Sequence, residues 1–275
     1  MTSLLLVASL LSLSTPACTD ASSSTTTEAA GQAGYEISGQ LRNAAAGTKV
    51  SLLELAENQF VARESATTDA QGRFTLKGTN TEAGLYQLKL EGAKPQEVWL
   101  VLDNKTKLQL SGDAQTLTAD YSVKGSKDSE LLQQLMRQVQ RGNGQLQGIM
   151  ERYQANAQAG RQDSMKLLEA RFMRAQAGNG AAVKSLIRQN PTSVVSAFAL
   201  GTPQIFNADE NFGFADSVAT QLKKAQPTSR YTKALVQTLE PLRKTAIGTV
   251  APDINLTNPQ GKVVPLSSLR GQYVL

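Results

Sequence analysis

Residues 97–111 read EVWLVLDNKTKLQLS, and the change of pattern at the centre of this stretch decides how the first half of the chain folds. Glu97 to Asp103 is a nearly unbroken apolar run, the mark of a strand covered on both faces. Lys107 to Ser111 alternates polar with apolar residues, which suits a strand with one face in a core and the other in water. Asp103-Asn104, between them, is turn chemistry. Outward from this stretch, RFTLKG (73–78) and YQLKL (86–90) keep the period of two, and Asp69-Ala70-Gln71-Gly72 is a second turn signal. Residues 35–124 are therefore expected to form an antiparallel β-sandwich with strands joined by short hairpins. Trp99, the single tryptophan, lies inside the apolar run and reads as core rather than as a stacking platform for a ligand.

After Lys124 the period becomes helical. Leu131, Leu132, Leu135, Met136 and Val139 share one helix face, and Leu146, Ile149, Met150 and Tyr153 repeat the spacing after an interruption expected at Gly142-Asn143-Gly144. Val183, Leu186 and Ile187 precede a stop at Asn190-Pro191, and Val194, Val195 and Phe198, then Leu235, Val236, Leu239 and Leu242, mark further helices. The expected fold class is α+β, with a helical region over residues 125–247. Met136, Met150, Met165 and Met173 fall at core positions or singly and read as gap-fillers rather than a soft-metal surface. GNGAAV (178–183) lacks the third glycine and the preceding strand of a dinucleotide loop. The acidic neighbours Asp128 with Glu130, and Asp209 with Glu210, occupy expected helix starts, where carboxylates favour the helix dipole, and do not form an acid–base pair.

Composition removes whole classes of chemistry. The 275 residues include no histidine and one cysteine. A Ser-His-Asp triad, a Cys-His pair, a His-rich zinc site and a CxxC pair are all excluded within these residues. The net charge of +5 is scattered, its only adjacent basic pairs being Lys223-Lys224 and Arg243-Lys244, so no nucleic-acid partner is expected. No catalytic residue, cofactor or metal is assigned.

At the N-terminus, LLLVASLLSL (4–13) is apolar but too short to cross a ~30 Å hydrocarbon layer as a helix, and Thr15-Pro16-Ala17-Cys18 follows it. The arrangement resembles a bacterial lipoprotein signal, residues 1–18, with Thr15 where that pattern prefers Leu. The resemblance implies lipid attachment at Cys18, a flexible Ser/Thr/Ala tether over residues 19–34, and a membrane partner reached through the lipid anchor. Two or more acyl chains hold a protein firmly at about 0.8 kcal/mol per buried CH₂.

The last segment, residues 248–275, reads as an extended stretch from Ala251-Pro252-Asp253-Ile254, a turn at Asn258-Pro259-Gln260-Gly261, a second strand from Val263 to Leu266, and a helical turn in PLSSLRG. It resembles the opening of a redoxin domain of the thioredoxin fold, of the TlpA and AhpC/TSA type, at Gly248, Ala251, Pro252, Asp253, Gly261, Leu266, Ser267, Leu269, Gly271 and Val274-Leu275. Ile254 and Gln272 stand where that family usually has Phe and Lys. Upstream, Asp69, Gly72, Phe74, Leu76 and Gly78, then Asn190, Pro191, Ser193 and Leu200, resemble the β-rich domain of unknown function and the helical connector of lipid-anchored members. The resemblance implies the first strands of a truncated thioredoxin-like domain. It also implies a parent protein that is a cell-envelope thiol-disulfide oxidoreductase acting on disulfide-bearing envelope proteins, with this chain redox-inactive by itself. The alternative is a noncatalytic envelope lipoprotein acting as a binding module.

Overall fold

In the computed structural model, residues 34–56, 59–92, 94–246 and 253–273 are described. Eight strands come first: β1 (Tyr35–Arg42), β2 (Lys49–Ala56), β3 (Gln59–Thr67), β4 (Arg73–Gly78), β5 (Gly84–Leu90), β6 (Gln96–Leu102), β7 (Lys107–Asp113) and β8 (Tyr121–Lys124). They form two four-stranded sheets, in the orders β4-β1-β7-β8 and β3-β2-β5-β6. Alternate residues point between the sheets, where Ile37, Leu41, Phe74, Leu76, Leu108 and Leu110 of the first meet Val50, Leu52, Leu88, Leu100 and Leu102 of the second. The two sheets thus share one apolar core, as period two requires.

The sandwich differs from its expectation in two respects. The turns at Asp69–Gly72 and Asp103–Asn104 are not hairpins within a sheet; each carries the chain from one sheet to the other, β3 to β4 and β6 to β7. The change from a two-sided to a one-sided apolar pattern at Asp103 marks that crossing, because β5 and β6 of the second sheet are covered on both faces and β7 of the first is not. β1 and β7 are also parallel, Ile37 facing Leu108 and Leu41 facing Gly112, so the first sheet is mixed.

The cross-sheet turn at Asp69 accounts for its residues. Asp69 Oδ1 accepts hydrogen bonds from the N–H groups of Gln71 and Arg73, both at 2.8 Å. Gly72 has φ +70°, and a Cβ there would stand 2.0 Å from the Leu41 carbonyl oxygen, so only glycine fits.

Five helices follow: α1 (Lys127–Gln158), α2 (Gln162–Gln189), α3 (Val194–Leu200), α4 (Phe212–Ala225) and α5 (Arg230–Thr245). Their apolar faces share a second core, in which Leu131, Leu132, Leu135, Val183, Ile187, Leu222, Leu235 and Leu239 meet Leu85 and Val101 on the outer face of the second sheet. Trp99 lies at the margin of this core, its ring 5.5 Å from that of Phe60 and 5.9 Å from that of Phe198.

Helix α1 runs unbroken through Gly142-Asn143-Gly144, where an interruption was expected. Gly142 is used for close approach: a Cβ there would lie 2.8 Å from the side chain of Asn179 on α2. GNGAAV lies inside α2, as its missing strand and glycine imply. Asp128 and Glu130 occupy the first turn of α1. Asp209 and Glu210 do not begin a helix; they lie in the turns before Asn211, the N-cap of α4.

Helix α1 also closes one side of the sandwich. Ser129 Oγ accepts from Val101 N at 2.9 Å and donates to Val101 O at 2.8 Å, so one buried side chain satisfies both outward backbone groups of Val101 on the edge strand β6. On the other sheet, Gln133 Nε2 and an Arg137 guanidinium nitrogen donate to Tyr121 O, at 2.5 and 2.7 Å. Burial pushes the phenol of Tyr121 up to about 12, and burial, with the nearby Tyr86, does the same for Tyr35.

Candidate functional site

Polar side chains converge at several places among the described residues, and three are candidates for a functional role. The first is the junction between the second sheet and the start of α5. Glu54 is a lone carboxylate in the apolar run of β2 and is buried. Its Oε1 accepts from an Arg230 guanidinium nitrogen at 2.5 Å, and its Oε2 accepts from Arg63 Nε at 2.7 Å. Glu82 accepts from the Arg230 backbone N–H at 3.1 Å, and Tyr231 OH accepts from Leu85 N at 2.8 Å. Burial alone would lower the Arg230 pKa, but its hydrogen bond to Glu54, with those to Tyr231 and their charges, holds it above the ordinary value. A carboxylate held between two guanidiniums is committed to structure, and the group acts as a clasp between sandwich and helices.

The second is a cleft of about 580 Å³ lined by Asp103, Lys105, Asp128, Asn190, Ser193 and Gln226, among others. Ser193 Oγ donates to Asp128 Oδ1 at 2.6 Å and accepts from Val195 N at 3.1 Å, tying the start of α3 to the start of α1. Ser196 Oγ donates to Asn190 O at 2.7 Å, and Leu200 is buried. The Asn190-Pro191-Thr192-Ser193 element is thereby explained as a helix-to-helix corner. The cleft offers hydrogen bonding to a polar ligand, with its Asp128 already engaged.

The third is the C-terminal segment. β9 (Asn255–Thr257) and β10 (Val263–Pro265) pair antiparallel, and a 3-10 turn covers Leu266–Leu269. Asn258 Oδ1 accepts from Gln260 N and Lys262 N, and Gly261 takes φ +78° to close the turn. Asp253 reaches over fourteen positions: its two oxygens accept from Ser267 N at 2.8 Å and Ser267 Oγ at 2.7 Å. Those hydrogen bonds, side chain first and backbone second, hold the Asp253 pKa below the usual carboxylate value. Ile254, Leu256, Val263 and Tyr273 are exposed, Leu256 at 69%.

Of the residues singled out in the sequence, Asp253, Gly261, Leu266, Ser267, Leu269 and Gly271 fall together in this capped hairpin. Cys18, with the signal and the tether as far as residue 33, lies outside the described residues, as do Gly248, Ala251, Pro252, Val274 and Leu275. Among the described residues no group of three or more His, Cys, Asp or Glu could hold a metal ion, and no helix is long and apolar enough to cross a membrane. The clasp residues Glu54 and Arg230 were missed. A single carboxylate within SLLELA was the signal available.

The fold is that of a β-sandwich with helices packed on one of its sheets. Residues 35–132 match the family model described as a domain of unknown function, DUF4369. No curated protein matches the chain. Among solved structures, a crystal structure of (S)-allantoin synthase aligns at 14% identity and TM-score 0.26, over 35% of this chain and 45% of that one, so the match spans less than half of the synthase.

Proposed function

We propose that this chain is the anchor, spacer and docking part of a cell-envelope thiol-disulfide oxidoreductase, lipid-attached at Cys18 and leading into a thioredoxin-like domain through residues 248–275. The observation that carries the reading is the Asp253–Ser267 cap. It joins two residues of the redoxin-like motif across the β9–β10 hairpin, so the motif corresponds to a folded unit. The DUF4369 match upstream is in keeping with this order of parts.

The chemistry belongs to a complete domain of that class. A thiolate at a helix N-terminus attacks one sulfur of a substrate disulfide, forming a mixed disulfide and releasing the other substrate sulfur as a thiolate, which takes a proton. A second cysteine thiolate then attacks the mixed disulfide. The substrate leaves as a dithiol, the enzyme is left as a disulfide, and an electron donor returns it to the reduced state.

The test is insulin-disulfide reduction by the protein purified from its native membranes, with and without prior thiol alkylation. Activity that alkylation abolishes is the expected result. An inactive native protein would instead leave the noncatalytic lipoprotein reading, with the sandwich and helices as a binding module.

A further inference from the structure

Asp163, Leu167 and Arg171 follow one another at steps of four along α2, and all three are exposed, Leu167 at 65%. Steps of four place side chains on a single ridge of a helix. Asp163 and Arg171 have no interaction with a partner side chain among the described residues. Eight residues separate them, about 12 Å of helical rise, so they do not pair within one helix.

The ridge has a symmetry of its own. Leu167 is its centre, with a carboxylate four residues before and a guanidinium four residues after. Turning a copy of the ridge end for end lays Leu167 against Leu167, and each Asp163 against the Arg171 of the other copy. Ser164 and Ala170, three residues to either side of the leucine, are small and permit close approach. Beside the ridge runs a groove of about 570 Å³ with Arg174, Ala175 and Gly178 in its lining, and a Cβ at Gly178 would meet nothing within 4 Å. Helices whose i±4 ridges lie side by side cross at about −50°.

We propose that this face of α2 is the contact of a symmetric homodimer, held by the Leu167 pair and two identical Asp163–Arg171 ion pairs. The contact is isologous, so Asp163 and Arg171 each meet their opposite without a second kind of partner. Nothing in it depends on the redox reading.

The experiment is sedimentation velocity of the full chain over a concentration series, with variants D163R and R171D. Wild type is expected to dimerise, and each variant to raise the dissociation constant at least about tenfold, because each sets like charges face to face twice. An equimolar mixture of the two variants is expected to dimerise again, since each then supplies the charge the other lacks. The double variant D163R/R171D is expected to recover as well. The exposed positions keep the fold intact, which circular dichroism checks. The proposal is overturned by a wild type that stays monomeric, by a dimer indifferent to both variants, or by variants that associate no better mixed than apart.

Discussion

Arg230 reaches back across 176 positions of sequence to place a guanidinium nitrogen 2.5 Å from Glu54 Oε1, joining the first residue of α5 to the middle of the sandwich. Because Glu54 is buried and binds Arg63 with its other oxygen, removing its charge takes the shared carboxylate from two cations and leaves Arg230 only the longer ion pair with Glu82, at 3.6 Å. Arg63 and Arg230 are partly exposed, which screens the loss. Glu54→Gln is expected to destabilise by about 2 kcal/mol in urea unfolding. A double-mutant cycle with Arg230→Gln should give a coupling of about 1 kcal/mol. Additive single effects would remove the clasp from the account.

The Ser129 hydroxyl makes both of its hydrogen bonds to one residue, Val101. Ser129→Ala leaves a buried N–H and a buried C=O of an edge strand with fewer partners, at a cost of about 1–3 kcal/mol. Ser122→Ala, on the exposed face of β8, is expected to stay within about 0.5 kcal/mol of wild type. Thermal melts of the two variants check the contrast. Equal effects would mean that α1 does not hold the sandwich edge.

Gly142 and Gly148 lie on the same helix in opposite circumstances. A Cβ at Gly148 meets nothing within 4 Å, so Gly148→Ala should gain up to about 1 kcal/mol from helix propensity. Gly142→Ala gains the same propensity but pushes on Asn179, and should fall below Gly148→Ala by about 1 kcal/mol or more. Hydrogen exchange of α1 and α2 amides reads both.

Tyr35 and Tyr121 contribute to the pH dependence at its alkaline end. Their folded pKa values, about 12, lie above the ordinary value of 10, so the fold favours the neutral phenols. The stabilisation from these groups is fully present below pH 10 and is lost as pH rises from there through about 12. Absorbance at 295 nm should show Tyr35 and Tyr121 ionising well above pH 10, together with loss of folded circular dichroism. Ionisation of all tyrosines near pH 10 with the fold intact would contradict the burial that raises them.

Much of the architecture could be read from periodicity, and the departures share a cause. The two-sided apolar run at Val98–Leu102 announced a strand between two cores because burial on both faces leaves no polar alternation. The destination of the turn after it was not legible: Asp103-Asn104 chemistry suits a hairpin and a cross-sheet connection alike. Gly142-Asn143-Gly144 looked like a helix break because glycine lowers local propensity, and only the approach of Asn179 shows why it persists inside α1. Asp253 and Ser267 were visible as motif residues, but their hydrogen bonds emerge from the turn at Asn258 that brings them together. Glu54 needed Arg230, far away in sequence, before its place in an apolar strand made sense.

The closing of both sheet edges by α1 bears on how the protein could be divided or transplanted. Lys124 ends the last sandwich strand, yet a piece stopping there would present bare backbone at Val101 and Tyr121 to any passing strand. A portable module therefore needs at least α1 as far as Arg137 beyond its eight strands, and a graft that respects only the strand boundaries invites edge-to-edge association.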